Sequence, residues 1–562
     1  MRRSINCRKC GCEFESSELE DQIRNELSPV FDGRRFQIPV PKECPACREQ
    51  LRCAFRNERA LYKRKCDLTG ANIISMYRPD APFPVYEVKA WYGDGWNVFN
   101  FSAEVDLSRS FLNQLHELKI RVPRTSVIQQ GEMENCSYCN RASNNKNCYL
   151  IFSSNRSEDC YYCIGCNSSK NCSHCYTVAN CELLFGSRDC FNCYDSRYMV
   201  ECDGCSSSSF LYQCTGCTDC FMCTNLLHKQ HYIRNVKFTP ARYRIEIAKI
   251  QFGSYKSVLN LSHEFEIAQG SAVVRAYFGN KNEDSSGNFL FNTKNAKNCV
   301  ECVNLEDSVH VQKVNNAHHC VDLSYFGQGL EYAYMTHACG LNCQRICFCN
   351  ETWMGSYDCF YCDQCTNCNH LFGCIGMRNA SYCIFNKRYD PSEYEKLVAK
   401  IIEAMLRDGE WGEYFPASYS PFSYYETVAH DYDPLDESTA VALGFNWNAE
   451  NQLELTVRGS AVAEMPDDIH DVDQSVCDQV YICDQSGKQF KILPVELSFY
   501  RKMNVPLPRV HYNEYLSGLI RKRRRRLLER TCSKCGKETL SVHSQRDRPQ
   551  IACEECFAEL LE

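Results

Sequence analysis

The chain has no run of about eighteen apolar residues, the minimum for a membrane-spanning helix, and its opening MRRSINCRKC carries charge and cysteine in place of an apolar signal core. Both absences argue against a membrane segment or a secretory leader. It also lacks a nucleotide-binding glycine-rich loop, a GxSxG and an HExxH, so these catalytic frameworks have no foothold. Its 14 His are scattered, and no acid, base or nucleophile stands out, which predicts a protein that is not an enzyme. A net charge of 63 − 70 = −7 speaks against a general nucleic-acid coat. At 562 residues the chain exceeds one hydrophobic core, while 44% hydrophobic and 24% charged residues exclude a disordered one. What it has in excess is cysteine, 43 residues. Without a leader, that number predicts a reducing cytoplasmic setting with free thiols, metal sites or both.

Cysteine divides the chain. Residues 67–135 hold none and read as an aromatic, turn-rich connector ending in a helix around Ser108–Lys119. From Cys136 to Cys223 every cysteine keeps one phase of a three-residue count, with Asn145 as a polar exception among the intervening positions. A helical stripe would drift at that step, and a strand needs a beat of two. Cys139, Cys160, Cys181, Cys202 and Cys223 recur every 21 residues, and Cys299, Cys320, Cys362 and Cys383 share that spacing. The pattern predicts a mainly β fold: two tandem β-solenoids of about 21 residues per coil, one inward residue per triplet, flanked by small zinc-binding α+β modules. Free cysteine is a compact hydrophobe suited to a narrow lumen; disulfides, metal loading and redox chemistry are the alternatives. Cys339, Cys343 and Cys349 leave the beat, which predicts a bulge near 339–349. A shift of 151 lays NVKFTPARYRIEIAKI (235–250) on NKRYDPSEYEKLVAKI (386–401), so each array ends in a capping helix opened by Thr239–Pro240 or Asp390–Pro391. Asp390 and Glu393 have capping-box spacing.

The resulting division is 1–66 zinc module, 67–135 connector, 136–235 first solenoid, 236–284 capping helix and linker, 285–385 second solenoid, 386–463 capping helix and aromatic region, 464–482 acidic linker, and 483–562 basic zinc ribbon. Cys7, Cys10, Cys44 and Cys47 form two CxxC knuckles, as do Cys532, Cys535, Cys553 and Cys556. Four thiolates complete a tetrahedral Zn²⁺ with no open position, so about two structural zinc ions are expected. Segments around the knuckles match at a shift of 466, with Thr69, Glu87 and Ala90 at lost ligand positions, and upstream CRKCGCEF (7–14) resembles CDQSGKQF (483–490), with Ser486 at another, as in a duplicated two-site module. Arg48, Arg52, Arg56, Arg59 and Lys63 follow helical spacing. The tail carries Arg521, Lys522, Arg523, Arg524, Arg525, Arg526 and Arg530. Basic helices on zinc modules suit phosphate backbones, while the alternatives are a solvated face or an internal partner for the acidic stretch Glu464–Asp484.

The stretch CPACREQLRCAFRNERALYKRKCDLTGANIISMYRPDAPFPVYEVKAW (44–91), with KNCYL, EDCYYC and DGEWGEYFPASYSPF, resembles the cysteine-rich zinc-binding hypothetical proteins of candidate-phyla (Patescibacteria-type) bacteria. That resemblance covers most of the chain and implies a bacterial cytosolic setting with no assigned activity; the thinned ligand set of the tail departs from it. The combined expectation is a non-enzymatic scaffold docking on RNA, DNA or the ribosome through its basic ends, with a protein partner along the solenoid flank. The rival is a thiol-based redox or metal-handling protein. The aromatic segment 409–427 predicts either a flank cover or a ligand-binding strip.

Overall fold

A computed structural model describes every residue except 1–3, 325–329, 332–333, 335, 337–346, 348–354, 449–463, 549 and 562. The fold is mainly β, 32% strand against 26% helix, with cysteine clusters at both ends.

The strands of the first array pair in parallel, and residue i faces residue i + 12: Ile151↔Cys163, Cys190↔Cys202, Leu211↔Cys223. The residue before each inward position takes a left-handed backbone, as at Asn171, His174, Thr177 and Asn180, with φ of 52°, 56°, 53° and 54°. A left-handed residue at every third position turns a corner at every beat, so four beats close one twelve-residue turn. This corrects the expected 21-residue coil. Both numbers are multiples of the three-residue beat, and cysteines 21 apart sit one and three-quarter turns from each other. The hydrogen-bonded path is also not an open stack: Arg197↔Ser209 joins its two branches, closing eight strands into a barrel-like ring.

Inward thiols are fully buried, Cys160, Cys163, Cys166 and Cys172 among them. Most donate within their own wall, as Cys163 Sγ does to the Tyr161 carbonyl at 3.2 Å and the Cys172 carbonyl at 3.6 Å, while Cys166 Sγ donates to Cys160 Sγ at 3.7 Å. Inward serines do likewise and also accept from the turn above, as Ser154 Oγ does from the Cys166 N–H at 3.0 Å. Asn145 fits the lumen because its amide donates to the Ser154 carbonyl and accepts from the Ser157 N–H. At the outer corners asparagines tolerate the left-handed conformation and bond along the axis: Asn292 to Asn304 at 2.7 Å, Asn304 to Asn316 at 2.6 Å.

The second array keeps the twelve-residue offset at Gly287↔Cys299, Cys302↔Val314 and Leu371↔Cys383. Of the bulge expected at 339–349, Cys347 alone is among the described residues, and the off-beat Cys339, Cys343 and Cys349 lie outside them. Around it the offset lengthens to thirteen, at Ala317↔Leu330, Tyr334↔Cys347 and Cys347↔Phe360. The two arrays end alike, in the antiparallel pairs Ile233↔Val236 and Ile384↔Lys387, which are 151 residues apart. Capping helices follow at Pro240–Ala248 and Pro391–Asp408. Thr239 caps the first by accepting from the Arg242 N–H, but the Asp390 side chain makes no cap bond, so the expected capping box does not form. The connector helix spans Phe111–Arg121. The aromatic segment covers the second array, Trp411 stacking on Phe372 with ring centres 6.5 Å apart. Among the described residues, no helix is long and apolar enough to cross a membrane.

Turns lie about 4.8 Å apart, so thiols 21 residues apart are separated by roughly 8 Å along the axis, beyond disulfide reach. Diamide oxidation followed by peptide mapping should therefore yield array disulfides at separations of six or twelve residues, such as Cys160–Cys166 or Cys190–Cys202. Links at 21 residues would refute the register.

Candidate metal centres and buried arginines

At the N-terminal end the hairpin Ser4–Asn6/Glu13–Glu15 and the start of helix Pro45–Cys53 bring Cys7, Cys10, Cys12 and Cys44 together, all sulfurs within 4.8 Å of one another. Cys10 and Cys44 are 3.8 Å apart, the sulfur separation of about 3.8 Å that a tetrahedral ion with metal–sulfur bonds near 2.3 Å requires. Cys47, expected as the fourth ligand, lies against Cys44 and Cys10 as a fifth thiol. Cys12 lies outside both CxxC pairs and reads from sequence as a leftover or core thiol, but the structure places it in the cluster. The chain reversal within the hairpin returns it to Cys10, at 3.3 Å. At the other end Cys532, Cys535, Cys553 and Cys556 form the expected quartet, with Cys535 and Cys553 3.8 Å apart.

The duplication inferred from sequence holds at the level of single strands. Tyr62–Lys65, Asn72–Ser75 and Val85–Tyr86 recur, each 466 residues on, as Leu528–Thr531, Glu538–Ser541 and Ile551–Ala552. Val85–Tyr86 pairs with Arg124–Thr125, and Ile551–Ala552 pairs equivalently with Val274–Arg275, so each array is entered beside one module copy. Cys66 accepts from the N–H groups of Thr69 and Glu87, as Cys532 does from that of Cys553. Likewise Cys44 N–H donates to Cys7, and His511 N–H donates to Cys483. The emptied copies thus keep the sulfur cradle after losing their ligands. Burial alone would raise the Cys532 thiol, but N–H groups of Cys535, Cys553 and Lys534 bring it down to about 6, a setting that favours the thiolate a metal needs.

A third cluster lies inside the first array, where Cys160, Cys166 and Cys172 have sulfurs within 4.8 Å of one another. Spacing could have found it, since twelve residues separate Cys160 from its neighbour one turn up.

The basic segments are not where the spacing placed them. Helix Pro45–Cys53 ends before Arg56 and Arg59, and Lys63 sits on strand Tyr62–Lys65, so no single helical face carries all five. Arg48 and Arg52 are buried against Asp322, a corner residue of the second array; Arg48 also donates to Glu20 at 3.0 Å and Arg52 to Ser324 at 3.0 Å. Arg56 binds Glu58 and Ser153 of the first array, and Arg59 binds Asp431 and Asn513. In the tail Arg523 spans both arrays, 2.8 Å from Asp189 and 2.6 Å from Glu301. Arg525 reaches Glu49 and Gln312 and lies over the Tyr432 ring at 3.6 Å. Arg530 holds the carbonyls of His543 and Arg548. These seven arginines are internal ties with no face free for phosphate. Their partners also differ from the acidic stretch proposed for them. Lys63, Arg521, Lys522, Arg524 and Arg526 remain exposed, with Lys522 on Glu266, Arg524 on Asp547 and Arg526 on Asp433.

No protein-family model matches the chain, and a search of curated proteins finds no match.

Removing one member of a buried ion pair leaves an uncompensated charge, at about 3–5 kcal/mol. Arg523→Gln leaves Asp189 beside Arg188 at 2.9 Å and Glu301 beside Lys313 at 3.6 Å. It should therefore lose stability towards the lower end of that range, about 3 kcal/mol, in chemical denaturation, and Arg524→Gln less than about 1 kcal/mol. Burial raises the Glu58 carboxyl, but Arg56, Lys313 and the Ser153 hydroxyl outweigh it and hold it at about 2. Stability from this depressed carboxyl is present above its unfolded value near 4.3 and lost as pH falls from about 4 towards 2, roughly 3 kcal/mol in all. Glu58→Gln should remove that part of the acid dependence, measured by thermal melts across the range.

Proposed function

We propose that the chain is a non-enzymatic, zinc-bound scaffold in which the arrays are four-sided solenoids and the terminal modules lock them together. The bridge from Arg523 to Asp189 and Glu301 carries this reading, because it commits the basic tail to holding one array against the other. Zinc in the two terminal clusters accounts for their sulfur spacing and for a donor set of thiols alone. In the N-terminal cluster Cys7, Cys10 and Cys44 would be ligands, with Cys47 or Cys12 as the fourth. Docking on RNA, DNA or a ribosome would rest on Lys63, Arg521, Lys522, Arg524 and Arg526 alone, and so few charges would give weak, strongly salt-sensitive binding. A protein partner would meet the uncovered array edges, where Tyr194 and Tyr357 are exposed.

A second reading, thiol-based metal handling, is favoured by the Cys160, Cys166 and Cys172 cluster. Three sulfurs about 4 Å apart suit trigonal coordination of a soft monovalent cation such as Cu⁺, and Cys160 and Cys166 are 3.7 Å apart. Thiol contacts lead inward to it from half-buried Cys136 through Cys148 to Cys160.

Anaerobically purified protein should hold about two zinc ions by elemental analysis, and one after Cys535→Ser. Zinc-free preparations, or two ions retained in that variant, would refute the scaffold's metal assignment. Titration with Ag⁺ as a probe separates the readings: uptake lost in Cys166→Ser supports metal handling, while inert array thiols support the scaffold.

A further inference from the structure

A cavity of about 570 Å³ opens where the first zinc module, the first array and the tail module meet. One wall is the array's column of corner residues. Tyr162 there has Tyr149 edge-on at 5.8 Å, His174 at 5.0 Å and, from the tail, Tyr512 stacked at 5.3 Å. Glu496 and Tyr500 come from the tail helix Pro494–Met503, and both line the cavity. Glu496 is 2% exposed and Tyr500 fully buried. One Glu496 oxygen accepts from the Leu493 N–H at 2.9 Å, closing the start of its helix. Its other oxygen and the Tyr500 hydroxyl are buried without a hydrogen-bond partner.

Two unmet polar groups at the back of an aromatic chamber are costly unless something fills them. Burial pushes Glu496 up to about 8, so near pH 7 the group is mostly the neutral acid, which a cation seated beside it would ionise, and no ion pair from the described residues answers it. Of the four Lys and Arg side chains lining the cavity, Arg59 is engaged with Asp431 and Lys488 with Glu514 at 3.3 Å, while Lys63 and Lys491 stand at the exposed rim. Burial also drives His174 down to about 3 and His511 to about 4, so both wall imidazoles are neutral near pH 7 and neither repels positive charge. The rim is exposed at Lys63, Gly487 and Lys491, which leaves a way in.

We propose that this cavity binds a small organic amine, its ammonium group seated between the Glu496 carboxylate and the Tyr500 hydroxyl and its apolar body among Tyr149, Tyr162 and Tyr512. A carboxylate answers the charge, a phenol accepts a second N–H, and tyrosine faces attract a cation beyond their contact area. The volume falls within the range of small-molecule sites, about 300–1,000 Å³.

Tryptamine and phenethylamine are suitable probes, with tryptophol, the neutral alcohol analogue of tryptamine, as control. Calorimetry on the full chain should show saturable one-to-one binding of at least one amine, with tryptophol at least about tenfold weaker than tryptamine. Glu496→Gln keeps the oxygen that accepts from Leu493 and should still fold, yet weaken amine binding by about tenfold or more. Tyr500→Phe should weaken it by a few-fold, a second readout should the first variant melt early. The proposal is overturned if neither amine binds below about 5 mM, if tryptophol binds as well as tryptamine, or if both variants bind like the parent protein.

Discussion

Buried arginine–carboxylate contacts at the corners of the coiled arrays are the constraint on which the rest of the molecule depends. The acids sit at or beside outward corners: Asp189 and Glu301 have φ of 54° and 60°, and Asp322 has 59°. A corner side chain projects from the array, so a carboxylate placed there points at whatever packs against that edge. In each case the neighbour supplies a cation. Arg523 answers two acids on different arrays, Arg48 and Arg52 answer Asp322, and Lys119 and Arg124 approach Asp363 at 3.0 and 3.7 Å. Guanidinium suits such places because its planar fork stays charged and meets several oxygens at once. These pairs bring little net stability over apolar packing of the same shape, but a misdocked arrangement would strand a buried charge. Their part is to specify one assembly.

Within the arrays the chemistry is different. A turn of twelve residues with four inward side chains leaves a lumen too tight for branched residues at every level, and cysteine fills it with few rotamers to lose. Its hydrogen goes to a wall carbonyl two residues back or nine ahead, as Cys202 shows with Val200 and Leu211. Serine at the same positions repeats the bond and accepts one more, which explains why Ser154, Ser187 and Ser208 sit inside without penalty. Sulfur therefore has two roles along the chain. At the ends, reversing hairpins gather thiols into compact quartets, whereas in the middle a parallel wall spaces them along a line.

Much of this was legible in the sequence, and the failures have physical causes. Among the described residues, the cysteines on the beat of three from Cys139 to Cys223 and from Cys299 to Cys320, and again from Cys359 to Cys383, are buried. It could not set the turn length, because the number of corners is a backbone property and the corner residues include Tyr162, Leu183 and Thr177 as well as asparagine. The repeated module was visible because its cysteines survive at Cys66 and Cys483 after their partners were lost. Cys12 reads as a leftover thiol in the sequence, since its place near Cys10 depends on the hairpin between them. The basic residues misled for a different reason. Charge spacing shows where arginines cluster but not what they face, and Asp189 and Asp322, more than a hundred residues from Arg523 and from Arg48 and Arg52 respectively, leave no local mark of those pairings. The cavity behind Glu496 is equally invisible, assembled from three modules that meet only in the folded chain.

Hydrogen–deuterium exchange on the intact protein and on Arg523→Gln tests the central claim most directly. If corner ion pairs weld the arrays into one unit, the variant should exchange faster in 182–203, in 299–318 and in the tail 521–531 together, while 369–384, tied separately to the connector, stays protected. Faster exchange confined to the tail would show that the arrays stand independently of the arginine between them, and the account would be wrong.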